Sequence, residues 1–357
     1  MIVLDILKGL LGELVLLAAI FSVMMLLIRF RLRKVAAKIS LQKEVIHQTT
    51  AQRIWQAIRH VLRLTGFAAL SLFLAALAIM IYRVYYGLNI ETAPTPSQVE
   101  IPAGLPFKVE EVQFLSEDGV QIAGWFIPSR NNVTIILLHG YGGNRSSMLW
   151  HAQQLVGAGY GVLMYDERAS GESGGTHRSY GWEDPRDVDG ALKFLKNKYG
   201  VDGNQVGIAG CSMGAQIALQ GAAKNTEIGA VWADGTAIIR AQDIPPQSNI
   251  LSQLVVAGNY MMDWASAIKL GMEAPPSLID IIDDIAPRPI MLVGGGVSRP
   301  LFGNEGRFML YYAQYAGNNA QTWIIPEAYH CDGPIVRPNE YAARMVKFFD
   351  STFGLNR

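Results

Sequence analysis

Two cysteines in 357 residues are too few for a disulfide framework, and neither Cys211 nor Cys331 has a neighbour at zinc-ligand spacing. The six histidines form no His-Glu-x-x-His and no His/Cys pair, so neither a catalytic metal nor a cofactor is expected. Gly140-Tyr141-Gly142-Gly143-Asn144-Arg145 begins like a dinucleotide fingerprint, but Arg145 stands where its last glycine belongs. Net charge is missing too. Thirty basic and 30 acidic residues cancel, which removes the global field that nucleic acid would require. Charged residues of either sign make up only 17% of the chain and hydrophobic ones 50%, an apolar balance for a freely soluble enzyme.

Two long runs account for part of that excess. Residues 10–28 are apolar except for Glu13, and residues 64–82 carry no charge; each has about the 20 residues needed to cross a bilayer. Two transmembrane helices are expected. No basic region precedes the first and no small-residue cleavage site closes it, so it reads as a span and not as a removed leader. Between them Arg29, Arg31, Arg33, Lys34, Lys38, Lys43, Arg53, Arg59 and Arg63 face a single acid, Glu44. A short loop this basic stays cytoplasmic. Both termini and everything after Tyr86 are then expected on the exoplasmic side, most naturally of the plasma membrane. The loop residues 35–58 suit either an interfacial helix on anionic lipid or a solvated basic helix.

Residues 91–108 contain Pro94, Pro96, Pro102 and Pro106 and read as a linker from a membrane anchor, 1–90, to a catalytic domain, 109–357. Eight short apolar runs follow, at 109–115, 120–127, 135–138, 161–165, 206–209, 230–233, 290–293 and 322–325. The first two flank Ser116-Glu117-Asp118-Gly119, a hairpin signal. Helical patterns separate most of the others, at 146–158, 187–198, 213–223, 306–316 and 339–353. Strand-helix units in series predict an α/β fold with a mostly parallel eight-stranded sheet, covered by helices on both faces. A long detour at 238–287, rich in Met, Leu and aromatics, is expected to form a helical cap. Its apolar side chains could line an acyl-chain site or simply pack on the core.

The fifth apolar run leads into Gly210-Cys211-Ser212-Met213-Gly214 and then a helical segment. A strand, a sharp turn and a helix in this order form a nucleophile elbow with Ser212 at its tip. Side chains at 210 or 214 would collide with the neighbouring strand and helix. Other motifs stand in register with it: His139-Gly140-Tyr141-Gly142-Gly143-Asn144 after the third run, Tyr165-Asp166-Glu167-Arg168-Ala169-Ser170-Gly171 after the fourth, and Tyr329-His330 after the eighth. Together they resemble the α/β-hydrolase superfamily, and within it the Bem46-like and prolyl-oligopeptidase-like serine hydrolases. The resemblance runs from Val109 to Phe353 and does not extend to the first 100 residues.

That resemblance implies a chain order of serine, acid, histidine. His330 alone follows a terminal strand and precedes a final helix, so it is the expected base for Ser212. Backbone amides of Tyr141 and Met213 are the expected oxyanion donors, with His139, Gly140, Gly210 and Gly214 shaping the motifs around them. The acid departs from the family. Ser298 stands where an aspartate is expected after the seventh strand. Glu305, further along the same loop, is the candidate, and Asp234 at the end of the sixth strand is the alternative; Glu305 could also be no more than a charge at a helix start. Asp166 and Arg168 are expected to organise a loop beneath the site, Asp187 and Asp189 to mark a helix start, and His151 and His177 to be surface or loop residues. Cys211 and Cys331 flank Ser212 and His330 and could pair in an exoplasmic domain. The reading preferred is two small buried side chains pointing apart.

The chemistry implied is cleavage of a carboxylic ester, thioester or amide through an acyl-serine. The partners are a small-molecule or lipid-like acyl substrate, a peptide being compatible, and membrane lipids around the two helices. A catalytically silent binding module and an acyltransferase are the competing readings.

Overall fold

A computed structural model describes residues 27–34, 50–298 and 303–355. The expected span at 10–28 lies outside the described residues, apart from its last two positions. The chain divides into two compact units, Met1–Asn89 and Ile90–Arg357.

In the first unit residues 27–34 are helical, and helix α1 runs Thr50–Glu91. Its 42 residues span about 63 Å, twice the roughly 30 Å hydrocarbon core of a bilayer. The expected second span, 64–82, is thus the apolar middle of a longer helix that already begins in the basic segment. Among the described residues it is the one helix long and apolar enough to cross a membrane.

The Pro-rich stretch after α1 is not a free linker. Strand β1, Thr95–Pro96, pairs in parallel with β6, Ser170–Gly171, and Val99 is buried. Proline fits such a two-residue edge, where no inward N–H is needed.

The remaining strands are β2 Glu110–Leu115, β3 Gln121–Ile127, β4 Thr134–Leu138, β5 Gly161–Tyr165, β7 Val206–Cys211, β8 Ile228–Asp234, β9 Ile290–Gly295 and β10 Ala320–Ile325. They form one eight-stranded sheet in the order β10-β9-β8-β7-β4-β5-β3-β2. Every pairing from β10 across to β5 is parallel, while β3 runs antiparallel to β5 and to β2. The central strands are buried on both sides, which is why they read as unbroken apolar runs. Alternation sorts them: Ile135 and Leu137 of β4 face one core, Ile136 and Leu138 the other.

The first of these cores is closed by helix α2, Leu149–Gly157, and helix α9, Pro338–Phe353; the second by α3, Pro185–Tyr199, α4, Met213–Lys224, and α7, Gly306–Ala316. The detour at 238–287 holds α5, Ile250–Leu270, and the short α6, Leu278–Ile281. Helix α8, Gly333–Val336, follows the loop that carries His330.

The chain passes from β4 outward to β5 and then returns to lay β7 on the other side of β4. Such a reversal opens a crevice beyond the carboxyl ends of β4 and β7, the ordinary ligand site of an open α/β sheet. Tyr141 follows β4 and Ser212 follows β7.

Candidate active site

Ser212 links β7 to α4 with φ 58° and ψ −117°, a backbone conformation that side chains rarely adopt and that needs support from around it. The support is explicit. The Ser212 N–H donates to the Asp234 carbonyl (2.8 Å), and the Ser212 carbonyl accepts from Ala237 N (3.2 Å) and Gln216 N (3.1 Å). A Cβ on Gly210 would strike the Gly214 and Ala215 backbone of α4, and one on Gly214 would strike the Leu138 and His139 backbone at the end of β4. These two glycines let strand, turn and helix close on one another.

His330 lies 118 residues on, and its Nε2 accepts from Ser212 Oγ at 2.8 Å. Its Nδ1–H donates to Glu305 Oε1. The other carboxylate oxygen of Glu305 accepts from Gly295 N at 3.1 Å, so the start of α7 is tied to the end of β9. With the carboxylate on Nδ1, the imidazole keeps its proton there and turns a lone pair toward Ser212.

Asp234, the alternative acid, is not brought to His330. It is buried, and its Oδ2 accepts from the Tyr341 hydroxyl (2.8 Å), which in turn accepts from Trp232 Nε1 (2.8 Å). Burial raises its pKa to about 7, against the lowering effects of the Tyr341 hydrogen bond and nearby His330.

Met213 is the first residue of α4, so its N–H has no carbonyl to meet within the helix. The loop after β4 comes against the same point: a Cβ on Gly140 would lie 3.3 Å from Ser212 Cβ. His139 behind this loop is fully buried, and burial lowers its pKa. Its Nδ1–H donates to Gly140 O (2.8 Å) and its Nε2 accepts from Glu167 N (3.0 Å), which fixes a neutral ring.

Several residues do more than expected. Arg178, not singled out in the sequence, is buried and donates to Ala93 O (2.6 Å), Ile90 O (3.0 Å) and the Tyr141 hydroxyl (2.9 Å), with its guanidinium 4.2 Å from the Tyr141 ring centre. Nothing in its local sequence marks it. Asp166 accepts from Arg145 through both backbone and side chain and from Glu172 N. Arg168 pairs with Asp118 (2.9 Å) and with buried Asp187 (2.7 Å). Asp187 is therefore a core ion-pair partner as well as a helix-start charge, while Asp189 meets Lys224 (2.5 Å).

Two expectations are corrected. His151 is not a surface residue: it is buried beside Trp150 and Tyr341, and burial lowers its pKa to about 4. Cys211 and Cys331 do not point apart: they are joined in a disulfide with Cα atoms 6.1 Å apart. His177, as expected, is a partly exposed loop residue, paired with Glu183 (2.8 Å).

Among the described residues one trio, Glu167, Asp184 and Asp187, offers oxygens close enough to hold a metal ion. Asp187 is already engaged by Arg168, Asp184 by Ser179 and the Gly181 N–H, and burial raises the Glu167 pKa, which works against the charged carboxylate that a cation would need.

The alpha/beta hydrolase family model matches residues 135–344, more than half of the chain. The chain belongs to the alpha/beta hydrolase family. It is 26% identical over 254 residues to the uncharacterised protein YfhR of Escherichia coli O157:H7, with 68% of this chain and 81% of that one covered. To the thiohydrolase aneE of Aspergillus aculeatus it is 24% identical over 190 residues, 50% of this chain and 57% of that one. Among solved structures, the esterase Pf2001 of Pyrococcus furiosus is similar with a TM-score of 0.58 at 25% identity, covering 73% of this chain and 100% of that one.

Proposed function

We propose that this alpha/beta hydrolase is a serine hydrolase of the Bem46-like branch, anchored in a membrane, that cleaves carboxylic ester, thioester or amide bonds through an acyl-Ser212 intermediate. The observation that carries the reading is the relay from Ser212 Oγ through His330 to Glu305. His330 Nε2 takes the Ser212 proton as Oγ bonds to the substrate carbonyl carbon, and Glu305 stabilises the imidazolium that results. The oxyanion is received by the N–H groups of Tyr141 and Met213. As the tetrahedral adduct collapses, the leaving alcohol, thiol or amine takes the proton from His330. A water then gives a proton to His330 as its oxygen bonds to the acyl carbon, and as this second adduct collapses His330 returns the proton to Ser212 Oγ, releasing the acid and free Ser212. The esterase and thiohydrolase named above support an acyl substrate of this class.

Anchorage is supported by the apolar length of α1 and by the basic residues before it. An exoplasmic position for the hydrolase unit has a second, independent support in the disulfide, a bond that oxidising compartments preserve. The one feature that favours a silent binding module is Ser298 in place of the expected aspartate; the position of Glu305 on His330 supports catalysis instead.

The test is a fluorophosphonate probe on the full chain in detergent micelles. Wild type should label at Ser212, and Ser212→Ala and His330→Ala should not. A folded wild type that takes no label would end the hydrolase reading.

A further inference from the structure

Each cysteine of the disulfide is one peptide bond from a reacting side chain: Cys211 precedes Ser212 and Cys331 follows His330. The two partners are held very differently. Ser212 sits between a buried strand and a buried helix and is fixed through its own backbone hydrogen bonds. His330 lies on a loop beyond β10 in which Pro326, Glu327 and Tyr329 are exposed. Its imidazole is itself about one-third exposed, at 35%. Behind that loop only Ala328 is buried, its carbonyl accepting from Val297 N (3.1 Å). The loop's backbone rests on the end of β9, where a Cβ on Gly295 would strike the Tyr329 and Ala328 carbonyls and one on Gly296 the Pro326 backbone, but its side chains mostly face solvent and give it fewer buried contacts than the elbow has. The disulfide ties this more exposed loop to the buried elbow.

The surroundings make room for the bond. Cys331 has φ 54°, a left-handed conformation unusual for a non-glycine residue. Gly235, at φ 59°, passes so close that a Cβ there would lie 3.0 Å from both Cys331 Sγ and His330 Nδ1. Cys331 Sγ also rests 3.5 Å from the carbonyl of Asp234, the same carbonyl that accepts from Ser212 N. Sulfur bridge, imidazole and elbow thus share one small volume.

We propose that Cys211 and Cys331 are positioning residues: their disulfide holds His330 against Ser212, so that full hydrolytic activity belongs to the oxidised protein and falls reversibly on reduction. The inference rests on the serine-hydrolase reading above. In the reducing reaction a phosphine and one water convert the disulfide to two thiols, the phosphine leaving as its oxide with the water oxygen. No covalent change occurs at Ser212 or His330. The loss comes from a proton acceptor that no longer waits at hydrogen-bond distance, a misplacement of the kind that costs about 10- to 100-fold in turnover.

The experiment uses the full chain in detergent micelles and a soluble p-nitrophenyl ester, with a phosphine reductant because thiols attack such esters directly. Turnover, KM and the rate of fluorophosphonate labelling are followed in oxidised, reduced and reoxidised wild type, and in Cys211→Ser/Cys331→Ser. Circular dichroism and a melting curve are recorded for each. The expected result is a fall in kcat and in labelling rate of about 10- to 100-fold on reduction, with KM within about twofold, an intact spectrum and recovery on reoxidation. The double variant should start at the low rate and ignore the reductant. A lower melting temperature with unchanged kcat and labelling overturns the proposal and leaves the bond a structural staple. So does a peptide map of the native protein showing two free thiols. If the double variant does not fold, the reduction and reoxidation of wild type decide alone. Oxidised wild type that neither labels nor hydrolyses overturns the hydrolase reading, and this inference with it.

Discussion

Glu305 reaches His330 Nδ1 from the residue just before helix α7, ten positions past the end of β9, while its second oxygen stays on the Gly295 N–H. One carboxylate thereby links a strand end, a helix start and the imidazole, the position that the proposed mechanism requires of its acid. Glu305→Gln separates this role from simple packing. A Gln amide can still accept from Gly295, but its NH2 would donate to Nδ1, move the imidazole proton to Nε2 and deny Ser212 its base. Turnover should fall on the order of 10³- to 10⁴-fold, whereas Asp234→Asn, whose oxygen can still accept from Tyr341, should cost far less. Steady-state kinetics of the two variants with one ester checks this. Equal losses would remove Glu305 from the triad.

Gly214 meets the Leu138 and His139 backbone with no room for a methyl group. Backbone cannot rotate out of the way as a flexible side chain does, so Gly214→Ala should cost roughly 3 kcal/mol, the upper end of ordinary overpacking, and abolish probe labelling. Gly200→Ala is the contrast. Nothing lies within 4 Å of its added carbon, although φ +66° still penalises it by about 1 kcal/mol. Chemical denaturation of the two variants measures the difference. A mild loss at 214 would mean that the elbow yields more easily than its contacts indicate.

The sheet was legible because its central parallel strands, buried on both faces, must be apolar throughout, while the antiparallel edge strand β2 shows the alternation of a half-buried strand; all eight expected runs lie within three residues of the observed ends. Ser212 was legible for a similar reason, since only glycine tolerates the approach of Leu138 and His139. The choice between Glu305 and Asp234 depends on how far the loop after β9 turns back, which no local pattern encodes. The cysteines could be placed near each other but not aimed, because their direction follows from the left-handed turn at Cys331. His151 was readable after all: with Met148, Ala152 and Leu155 it falls on the inner face of the helical stretch, and its polarity hid that. The linker misled because proline excludes regular structure in isolation, not a short edge pairing against Ser170 and Gly171.

Arg178 joins the Tyr141 hydroxyl to the carbonyls of Ile90 and Ala93. Through it the loop that offers the Tyr141 N–H is braced against the first residues of the hydrolase unit. Arg178→Lys keeps the charge but loses the planar fork that serves three acceptors at once. It should lower kcat roughly 10-fold or more through a misaligned oxyanion donor. Tyr141→Phe removes one of the three contacts and leaves the backbone amide in place, so its effect should stay within a factor of about ten. Kinetics on the ester gives the comparison. A Tyr141→Phe loss larger than that of Arg178→Lys would show that the phenol, not the brace, is what matters there.

His151 makes the stability of the hydrolase unit depend on pH in a known direction. Burial lowers its pKa from 6.5 to about 4 in the folded protein, and its Nδ1 has no hydrogen-bond partner. Between those two values the unfolded chain binds a proton that the folded chain refuses. Stability is therefore complete above the unfolded value and declines as the pH falls toward the folded one. From about pH 7.5 to about pH 5 this one residue should cost about 2 kcal/mol. His151→Leu, apolar beside Trp150 and Tyr341, should lack that part of the slope and so gain on wild type as the solution is acidified. Urea denaturation of both proteins at the two pH values measures it. Parallel pH slopes would show that the wild-type histidine accepts its proton inside the fold.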